Sequence, residues 1–228
     1  MPVNVNQIPT IQEFEEYLEL WRKFFVLDDV MYQKILSDLS LDVDPGKAYS
    51  YLIRFLELWG VRRAAVNISP IELSSRILEL KAKLASMDKS ILEIDLDQMG
   101  DEIKEIFKKI SSIRNVGPTS ASKILHLLKP QLFIMWDMDI AKTYRVKTSP
   151  TGYLEFLKRC QLILRSIIKE CQDIGIKDPE QHLVKKFGKP LTKLLDEYNW
   201  LKTRKWLRRR IIELSREKKK NMFPNYLG

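Results

Sequence analysis

Hydrophobic side chains recur along the chain at steps of three and four residues, the period of an α-helix with one buried face. Two stretches within the first sixty residues show this spacing most clearly. They comprise Phe14, Leu18, Trp21 and Phe25, and then Tyr51, Leu52, Phe55, Leu56 and Trp59. No region has the alternating pattern of strands, and no unit of roughly 20–50 residues repeats. The pattern therefore predicts an all-α fold, a helical bundle.

Turn and capping residues divide the predicted helices. Residues 42–46 (DVDPG) have the composition of a turn. Ser69 followed by Pro70 is typical of a helix N-terminus, so we predict a helix from Pro70 to about Ser86. Residues 88–97 mix acidic and apolar positions without a clear period. Either an extended connection or a short helix fits them.

The helical pattern sharpens after residue 101. A first helix ends in turn residues at 115–118, and a second helix ends at residues 129–130. Their inward positions are Ile103, Ile106, Phe107, Ile110 and Ile113, and then Ala121, Ile124, Leu125 and Leu128. Asp137 has the position of an N-cap for a helix through Tyr144. Long helices are then predicted at about residues 152–171, 179–198 and 199–220.

The composition is that of a folded protein. Of the 228 residues, 45% are apolar and 30% are charged, which is too apolar for a disordered chain. No stretch approaches the roughly 20 apolar residues that span a bilayer, and residues 1–10 lack a secretion-signal pattern. We therefore expect a cytoplasmic protein. Cys160 and Cys171 are expected to be core thiols, because their placement on one predicted helix or its exit is a poor geometry for a disulfide.

The net charge of +9 is unevenly distributed. Residues 1–100 contain 11 Lys and Arg against 16 Asp and Glu, whereas residues 101–228 contain 28 against 14. A solvated face explains many charged runs, but an excess over more than a hundred residues favours a polyanionic partner. We predict an acidic helical lobe (1–100), a central region (101–145) and a basic helical region that packs back on the core (146–228).

Residues 110–121 (ISSIRNVGPTSA) place a small–hydrophobic–glycine turn between two helices. Because Gly117 lacks Cβ, we expect a positive φ there and a close approach of the backbone to a phosphate, while Asn115 tolerates the left-handed region. The amides of the turn and of the next helix N-terminus then form an anion site, with Ser120 and Lys123 beside it. Such contacts carry no sequence information. The alternative is an ordinary helical corner.

This turn resembles the helix–hairpin–helix motif, and its surroundings resemble the helix–hairpin–helix superfamily of base-excision DNA glycosylases. In that superfamily an apolar stretch and a capping aspartate follow the hairpin. Here they are residues 133–136 (FIMW) and Asp137, twenty residues after Gly117. The resemblance covers residues 101–144, about a fifth of the chain. It implies that Asp137 stabilises the cationic sugar as a flipped-out base leaves, or orients the attacking water.

The departures from the superfamily change the expected chemistry. Bifunctional members carry a nucleophilic lysine where this chain has Thr119, so the resemblance implies a glycosylase without lyase activity. Lys123, one turn later, could face the same pocket, but we expect an exposed lysine that binds phosphate. Two cysteines cannot form the four-cysteine iron–sulfur loop of some members. Asn115 replaces the first glycine of the hairpin.

A basic run follows near the C-terminus. It begins with Arg204, Lys205, Arg208, Arg209 and Arg210 and continues through Arg216 and residues 218–220, with Trp200 and Trp206 nearby. We expect a helix that packs by its aromatic face and lays its basic face on nucleic-acid phosphates; an anionic membrane surface or a solvated tail are the alternatives. The predicted nucleic-acid contacts are Asn115, Gly117, Thr119, Ser120, Lys123, Arg204, Lys205, Arg208 and Arg209.

Other chemistries have little support in the sequence. His126 and His182 have no cysteine or carboxylate at metal-ligand spacing, so neither a metal nor a cofactor is expected. Asp139 either forms an acidic pair with Asp137 that binds a cation or complements the helix dipole, and we favour the dipole. In the acidic lobe, Trp59 and Tyr51 are candidates for a base pocket or an intercalating wedge, but core packing is expected for each.

Three hypotheses follow for the function. The first is a DNA-binding protein similar to the glycosylases, with Asp137 as the catalytic carboxylate. The second is a non-catalytic DNA- or RNA-binding module, and the third is a helical protein–protein adaptor. The expected partner is the DNA backbone, with RNA as an alternative and with neither a membrane nor a known protein partner. The first two hypotheses differ in whether Asp137 opens into a pocket large enough for a base.

Overall fold

The computed structural model describes residues 8–39, 44–61 and 67–222, and within these ranges it contains helices and no strand. The all-α prediction is confirmed. The described helices are α1 (Ile11–Phe24), α2 (Val26–Asp38), α3 (Pro45–Leu58), α4 (Pro70–Ser86), α5 (Gly100–Ser111), α6 (Pro118–Leu128), α7 (Met138–Thr143), α8 (Pro150–Asp173), α9 (Pro179–Phe187), α10 (Leu191–Thr203) and α11 (Lys205–Met222).

Capping side chains begin several helices where the sequence predicts them. The Ser69 hydroxyl accepts a hydrogen bond from the Glu72 amide, and α4 has the predicted bounds. Asp137 caps α7 in the same way, through the amides of the second and third residues after it. In the predicted DVDPG turn, Asp44 caps α3, while residues 42 and 43 lie outside the described ranges.

The two predicted helices that follow α8 are divided differently in the structure. The helix predicted at 179–198 is interrupted by Gly188, which has a φ of 70°, and by Pro190, which has no N–H to donate. The helix predicted to begin at residue 199 begins at Lys205 instead. Helix α10 continues to Thr203, and the chain leaves helical geometry at Arg204, with a φ of −103° and a ψ of 61°.

Residues 88–97 form a series of turns, neither an extended segment nor a regular helix. The Ile91 amide donates to the Gln131 carbonyl at 2.9 Å. The buried Gln161 amide donates to the carbonyls of Ile91 and Ile94, at 2.7 and 2.9 Å. Since these hydrogen bonds come from distant residues, no local period in the sequence could specify the segment.

Buried side chains of the described helices form one cluster. Helix α5 packs on α8, where the rings of Phe107 and Tyr153 stack with centroids 4.2 Å apart. Helix α1 packs on α10, so the acidic first hundred residues share a core with the basic region. Cys160 and Cys171 are buried and free, as predicted. None of the described helices is long and apolar enough to cross a membrane.

Candidate functional site

The turn between α5 and α6 is fixed to the segment that precedes α4 and to the first turn of α4. Asn115 has a φ of 68°, and its side-chain amide donates to the Asn67 carbonyl at 2.7 Å. The Arg114 amide donates to the Glu72 carboxylate at 3.3 Å. The left-handed conformation predicted as tolerable at Asn115 is confirmed, and the asparagine stabilises it with a hydrogen bond of its own.

Gly117 differs from its prediction. Its φ of −83° and ψ of 177° are extended geometry, so the expected positive φ is wrong. The chain has already turned at Asn115, and Gly117 only needs the extended conformation of an N-cap before Pro118. Apart from Gly117 itself and its two chain neighbours, no heavy atom of the described residues lies within 4 Å of the position that a Cβ would take at Gly117. Gly117 itself is exposed, and the space beside its Cα is open at the start of α6.

The side chains of Ser120 and Lys123 are not on the surface, contrary to prediction. Ser120 is 3% exposed and Lys123 is 9% exposed. The reason is that α6 is covered on several sides, since α5 and α3 both pack against it. The Lys123 ammonium donates a hydrogen bond to the backbone carbonyl of Trp59, which follows α3. Both residues are therefore withdrawn from a phosphate at the hairpin surface.

Asp137 opens into a cleft of about 570 Å³. The cleft lies between the α1–α2 junction, the end of α3, α6, the start of α7 and α10. Its aromatic walls are Trp21, Phe25, Trp59, Trp136 and Trp200, and its polar lining is Asp28, Thr119, Lys123, Asp137, Asp139, Asp196 and Arg204. Pockets of several hundred Å³ enclose drug-sized ligands, so the cleft is large enough for a nucleobase.

The two carboxylate oxygens of Asp137 have different partners. Oδ1 accepts the backbone amides of Asp139 at 3.0 Å and Ile140 at 2.9 Å, which fixes the side chain at the start of α7. Oδ2 forms an ion pair of 2.6 Å with Arg204. The Arg204 guanidinium also stacks on the Trp200 ring, 4.2 Å from its centroid. Arg204, predicted to bind phosphate, thus lies in the cleft beside the candidate catalytic carboxylate.

Lys123 contributes an amine to the same cleft. Burial lowers the pKa of this amine to about 8, and the negative charges of Asp196 and Asp137 oppose the shift. The nearby cations Lys193 and Arg204 lower the pKa further. The amine is therefore more often neutral at physiological pH than that of an exposed lysine.

A buried network of charges on α10 and on Lys189, two residues before it, lies behind the cleft and was not predicted from the sequence. The Lys193 ammonium is paired with Asp196 at 2.8 Å and Glu197 at 3.4 Å. Lys189 is paired with Glu197 and with Asp29 of α2, each at 2.8 Å. The available signal was the spacing of these charges by three and four residues on a helix with many apolar positions.

Burial and ion pairing have opposite effects on the pKa values in this network. Burial raises the pKa of Glu197 to about 7, although Lys193 and Lys189 both lower it. Burial opposes the charge of Lys193, yet Asp196 and Glu197 raise its pKa overall. The Lys193 ammonium also lies 4.9 Å from the centroid of Trp21 and 6.0 Å from that of Trp59. A fixed cation thus lies behind two aromatic walls of the cleft.

The basic helix α11 presents part of its charge to solvent. Lys205 and Arg209 are exposed, whereas the Arg208 guanidinium lies 4.9 Å from the centroid of the Tyr17 ring. Trp206 is 71% exposed, so the expected packing of α11 by its aromatic face is wrong for this residue. The helix is anchored instead by the buried Ile211. The side chains of Arg216 and residues 218–220 lie outside the described part.

His126 is a core residue. Its Nδ1 lies 2.7 Å from the Phe133 carbonyl oxygen and its Nε2 lies 2.9 Å from the Tyr32 hydroxyl. Burial lowers the pKa of His126 to about 4, so the ring is neutral at pH 7. Within the described ranges, no group of three or more His, Cys, Asp and Glu side chains could hold a metal ion.

Comparisons of the chain with protein-family models, with curated proteins and with solved structures found no match. The hairpin, Asp137 and the cleft are therefore the basis for inferring function.

Proposed function

We propose that this protein binds the sugar–phosphate backbone of DNA and excises a base, with Asp137 as the catalytic carboxylate. The observation that supports this most directly is the opening of Asp137 into the 570 Å³ cleft. A module that only binds the backbone needs no such cavity beside the hairpin. The aromatic walls suit a flat base, because every base can stack on an aromatic ring.

Helix α6 links the two parts of the proposed site. Its first turn follows Gly117, whose Cα borders open space, and the amide groups and helix dipole at this end would attract a phosphate. Thr119, in the same turn, lines the cleft. A phosphate bound at the hairpin would therefore hold the DNA next to the cleft entrance, where a nucleotide rotated out of the duplex can enter.

Asp137 would act by charge. As the bond between base and sugar breaks, the sugar becomes positively charged, and a fixed carboxylate stabilises that charge. The α7 amides hold Oδ1, and Arg204 holds Oδ2 in the free protein. Arg204 must therefore shift from Asp137 when the sugar approaches, and a DNA phosphate at the cleft mouth would be an alternative partner for its guanidinium.

The test is an excision screen over duplexes that each carry one modified base, with alkali to cleave the abasic product. We expect excision of at least one base by the wild type and a loss of about 100-fold or more in Asp137→Asn, since one electrostatic contact of this kind contributes roughly that factor. DNA binding should survive in Asp137→Asn. The amide can still cap α7, so stability should fall only by what the ion pair with Arg204 contributes.

Asp178→Asn is the matched control, because Asp178 caps α9 by accepting the Gln181 amide at 3.1 Å and does not line the cleft. It should retain full activity. Full excision by Asp137→Asn would remove Asp137 from the mechanism. Salt-sensitive DNA binding without excision of any base would instead support the non-catalytic module. Absence of DNA binding would support the protein–protein adaptor.

A further inference from the structure

Helix α11 has an inner face that packs on the core and an outer face that is open to solvent. On the inner face, Ile211 is buried and the Arg208 guanidinium lies 4.9 Å from the centroid of the Tyr17 ring. The outer face is defined by exposed residues on one side of the helix, Lys205, Trp206, Arg209 and Arg210. Trp206 is 71% exposed. The outer face therefore combines positive charge with one large aromatic ring.

The positive charge of the outer face is available to a ligand. Arg210 pairs with Glu213 at 3.4 Å, but both side chains are well exposed, so solvent weakens this pair. Among the described residues, no carboxylate forms an ion pair with Lys205 or Arg209. Cations without local partners attract a polyanion, and the phosphates of a nucleic acid have this character.

The exposed indole of Trp206 adds a feature that phosphate binding does not need. A single exposed apolar side chain is common on protein surfaces, but an aromatic ring among cations is the combination that binds single-stranded nucleic acids. The cations neutralise the phosphates, and an unpaired base stacks on the ring. In a duplex the bases stack on one another and present only their edges, so a ring on a helix surface has no base face to contact.

The outer face begins next to the cleft. Arg204 precedes Lys205, lines the cleft and pairs with Asp137 at 2.6 Å. Because consecutive Cα atoms are about 3.8 Å apart, the Cα of Trp206 lies within about 8 Å of the Cα of Arg204. A DNA strand that stacks on Trp206 therefore passes close to the cleft, where another base of the same strand can enter.

We infer that the outer face of α11 binds single-stranded DNA, with Trp206 stacked on an unpaired base, and that bases in unpaired segments are the preferred substrates of the cleft. The second part rests on the proposed function. An unpaired base enters a cleft without the unpairing energy that a paired base requires. Fully paired DNA would still bind through its phosphates, but it would lack the stacking contact.

Two oligonucleotides with the same number of phosphates test the stacking contact. One is a single strand of about 12 thymidines, which is within the usual site size of single-strand binders. In the other, a reduced abasic sugar replaces every nucleoside, so this strand offers the charge without the bases. Anisotropy measures the affinity of the full-length protein for each strand. We expect about tenfold tighter binding of the thymidine strand, because stacking of one base contributes roughly that factor.

Substitutions on the outer face separate stacking from charge. Trp206→Ala should lower the affinity for the thymidine strand by about tenfold and leave that for the abasic strand nearly unchanged. Trp206→Phe keeps an aromatic ring and should retain most of the affinity. Lys205→Gln should weaken the binding of both strands by the same factor. Leu78→Ala is the matched control, because Leu78 is an apolar residue of α4 with 64% exposure, and it should bind both strands as the wild type does.

Tryptophan fluorescence locates the contact. The other tryptophans are buried or half-buried, so the difference in emission between the wild type and Trp206→Phe reports on the exposed indole. The thymidine strand should protect this emission from quenching by acrylamide, and the abasic strand should protect it much less. Protection by vesicles of phosphatidylserine without protection by the thymidine strand would assign the outer face to a membrane surface and overturn the inference.

Excision tests the preference for unpaired bases. A modified base that the protein excises is placed in a fully paired duplex and in a duplex with a short unpaired segment around that base. We expect faster excision from the unpaired segment and a loss of this advantage in Trp206→Ala. An advantage that persists in Trp206→Ala would mean that stacking on α11 does not select the substrate.

The outcomes distinguish this inference from the proposed function. If the wild type binds the thymidine and abasic strands equally, or if Trp206→Ala weakens both by the same factor, Trp206 does not stack on a base. Excision by Asp137 would remain possible in that case. Strand binding that depends on Trp206, without excision of any base, would instead contradict the proposed function and leave the binding surface on α11 in place.

Discussion

Asp137 caps α7, and the proposed function gives the same side chain a chemical role. Oδ1 accepts two backbone amides of α7, and Oδ2 pairs with Arg204 at 2.6 Å. The cap fixes the position of the carboxylate, so any substrate must approach from the side of Oδ2. Arg204 occupies that side in the free protein and stacks on Trp200. In the proposed function, the substrate and Arg204 would therefore compete for one oxygen.

His126 allows a prediction about pH. Its pKa in the folded protein, about 4, is lower than the value of about 6.5 in an unfolded chain. As pH falls below 6.5, the unfolded state therefore binds a proton first, and the folded state loses stability until the pH reaches about 4. Between pH 7 and pH 5 this effect should cost about 2 kcal/mol of the free energy of unfolding.

Urea unfolding at pH 7 and pH 5 measures this effect. His126→Asn loses the ring's hydrogen bonds and should be less stable at both values, but its loss between them should be about 2 kcal/mol smaller than that of the wild type. His182→Asn, at an exposed histidine, should keep the wild-type dependence. The raised pKa of Glu197 changes stability in the opposite direction over this pH range, but Glu197 is present in all three proteins. An equal loss in His126→Asn and the wild type would contradict this assignment.

Within the hairpin, the two turn residues Asn115 and Gly117 have different roles. Asn115 makes the turn, with a φ of 68° and a hydrogen bond to the Asn67 carbonyl. Gly117 has extended geometry and open space beside its Cα. The sequence suggests the reverse, because glycine is the residue most often found at positive φ. Asn115 therefore stabilises the turn, whereas Gly117 keeps the space beside its own Cα free of a side chain.

Alanine substitution should separate these tasks. Asn115→Ala should lower the free energy of unfolding by about 1–2 kcal/mol, since alanine is disfavoured at positive φ and the hydrogen bond is lost. Gly117→Ala should change stability by less than about 0.5 kcal/mol, because no strain arises at a φ of −83°. Gly117→Ala should weaken DNA binding instead, because the alanine Cβ enters the open space in which a phosphate would approach the α6 amides. Asn115→Gly is the control that restores the backbone freedom.

Urea unfolding and fluorescence anisotropy on one labelled duplex measure the two effects. Tight binding by Gly117→Ala would mean that the hairpin is a structural corner and that DNA lies elsewhere. Unchanged stability of Asn115→Ala would mean that the turn does not depend on the asparagine.

The elements that could be predicted from the sequence are those defined by neighbouring residues. The start of α4 depends on Ser69 and Pro70, and the cap of α7 depends on Asp137 and the amides that follow it. The burial of Lys123 could not be predicted, because it depends on α3 and α5 covering α6 from elsewhere in the chain. The same applies to Arg204, whose partner Asp137 is 67 residues earlier. The cleft and the charge network both result from tertiary packing.

At the scale of the whole molecule, charge is divided between the core and the surface. Lys189 and Lys193 are buried in ion pairs with carboxylates of α10, and Arg204 is paired within the cleft. The net charge of +14 in residues 101–228 therefore overstates the number of side chains available to DNA. Lys205 and Arg209 of α11 remain exposed, so they are the best candidates for surface contacts among the predicted residues.

The salt dependence of DNA binding tests which of these cations contact phosphate. Each phosphate that a cation neutralises contributes about −0.9 to the slope of log K against log salt concentration, because bound counterions are released. We expect a steep slope for the wild type and a reduction of about 1 in its magnitude for each of Lys205→Gln and Arg209→Gln. Lys34→Gln and Lys47→Gln, at exposed positions in the acidic half, should leave the slope unchanged. Binding is measured by anisotropy between roughly 50 and 200 mM salt.

The two α11 substitutions should also weaken binding equally on unrelated duplex sequences, because phosphate contacts fix position without reading bases. If the slope stays the same in both variants, α11 does not lie on the DNA, and the hairpin would have to supply the affinity with the amides of α6. If Lys34→Gln lowers the slope instead, the DNA lies across the acidic half. A slope near zero in the wild type would remove the electrostatic basis of binding altogether, because an exposed cation cannot contact a phosphate without displacing counterions.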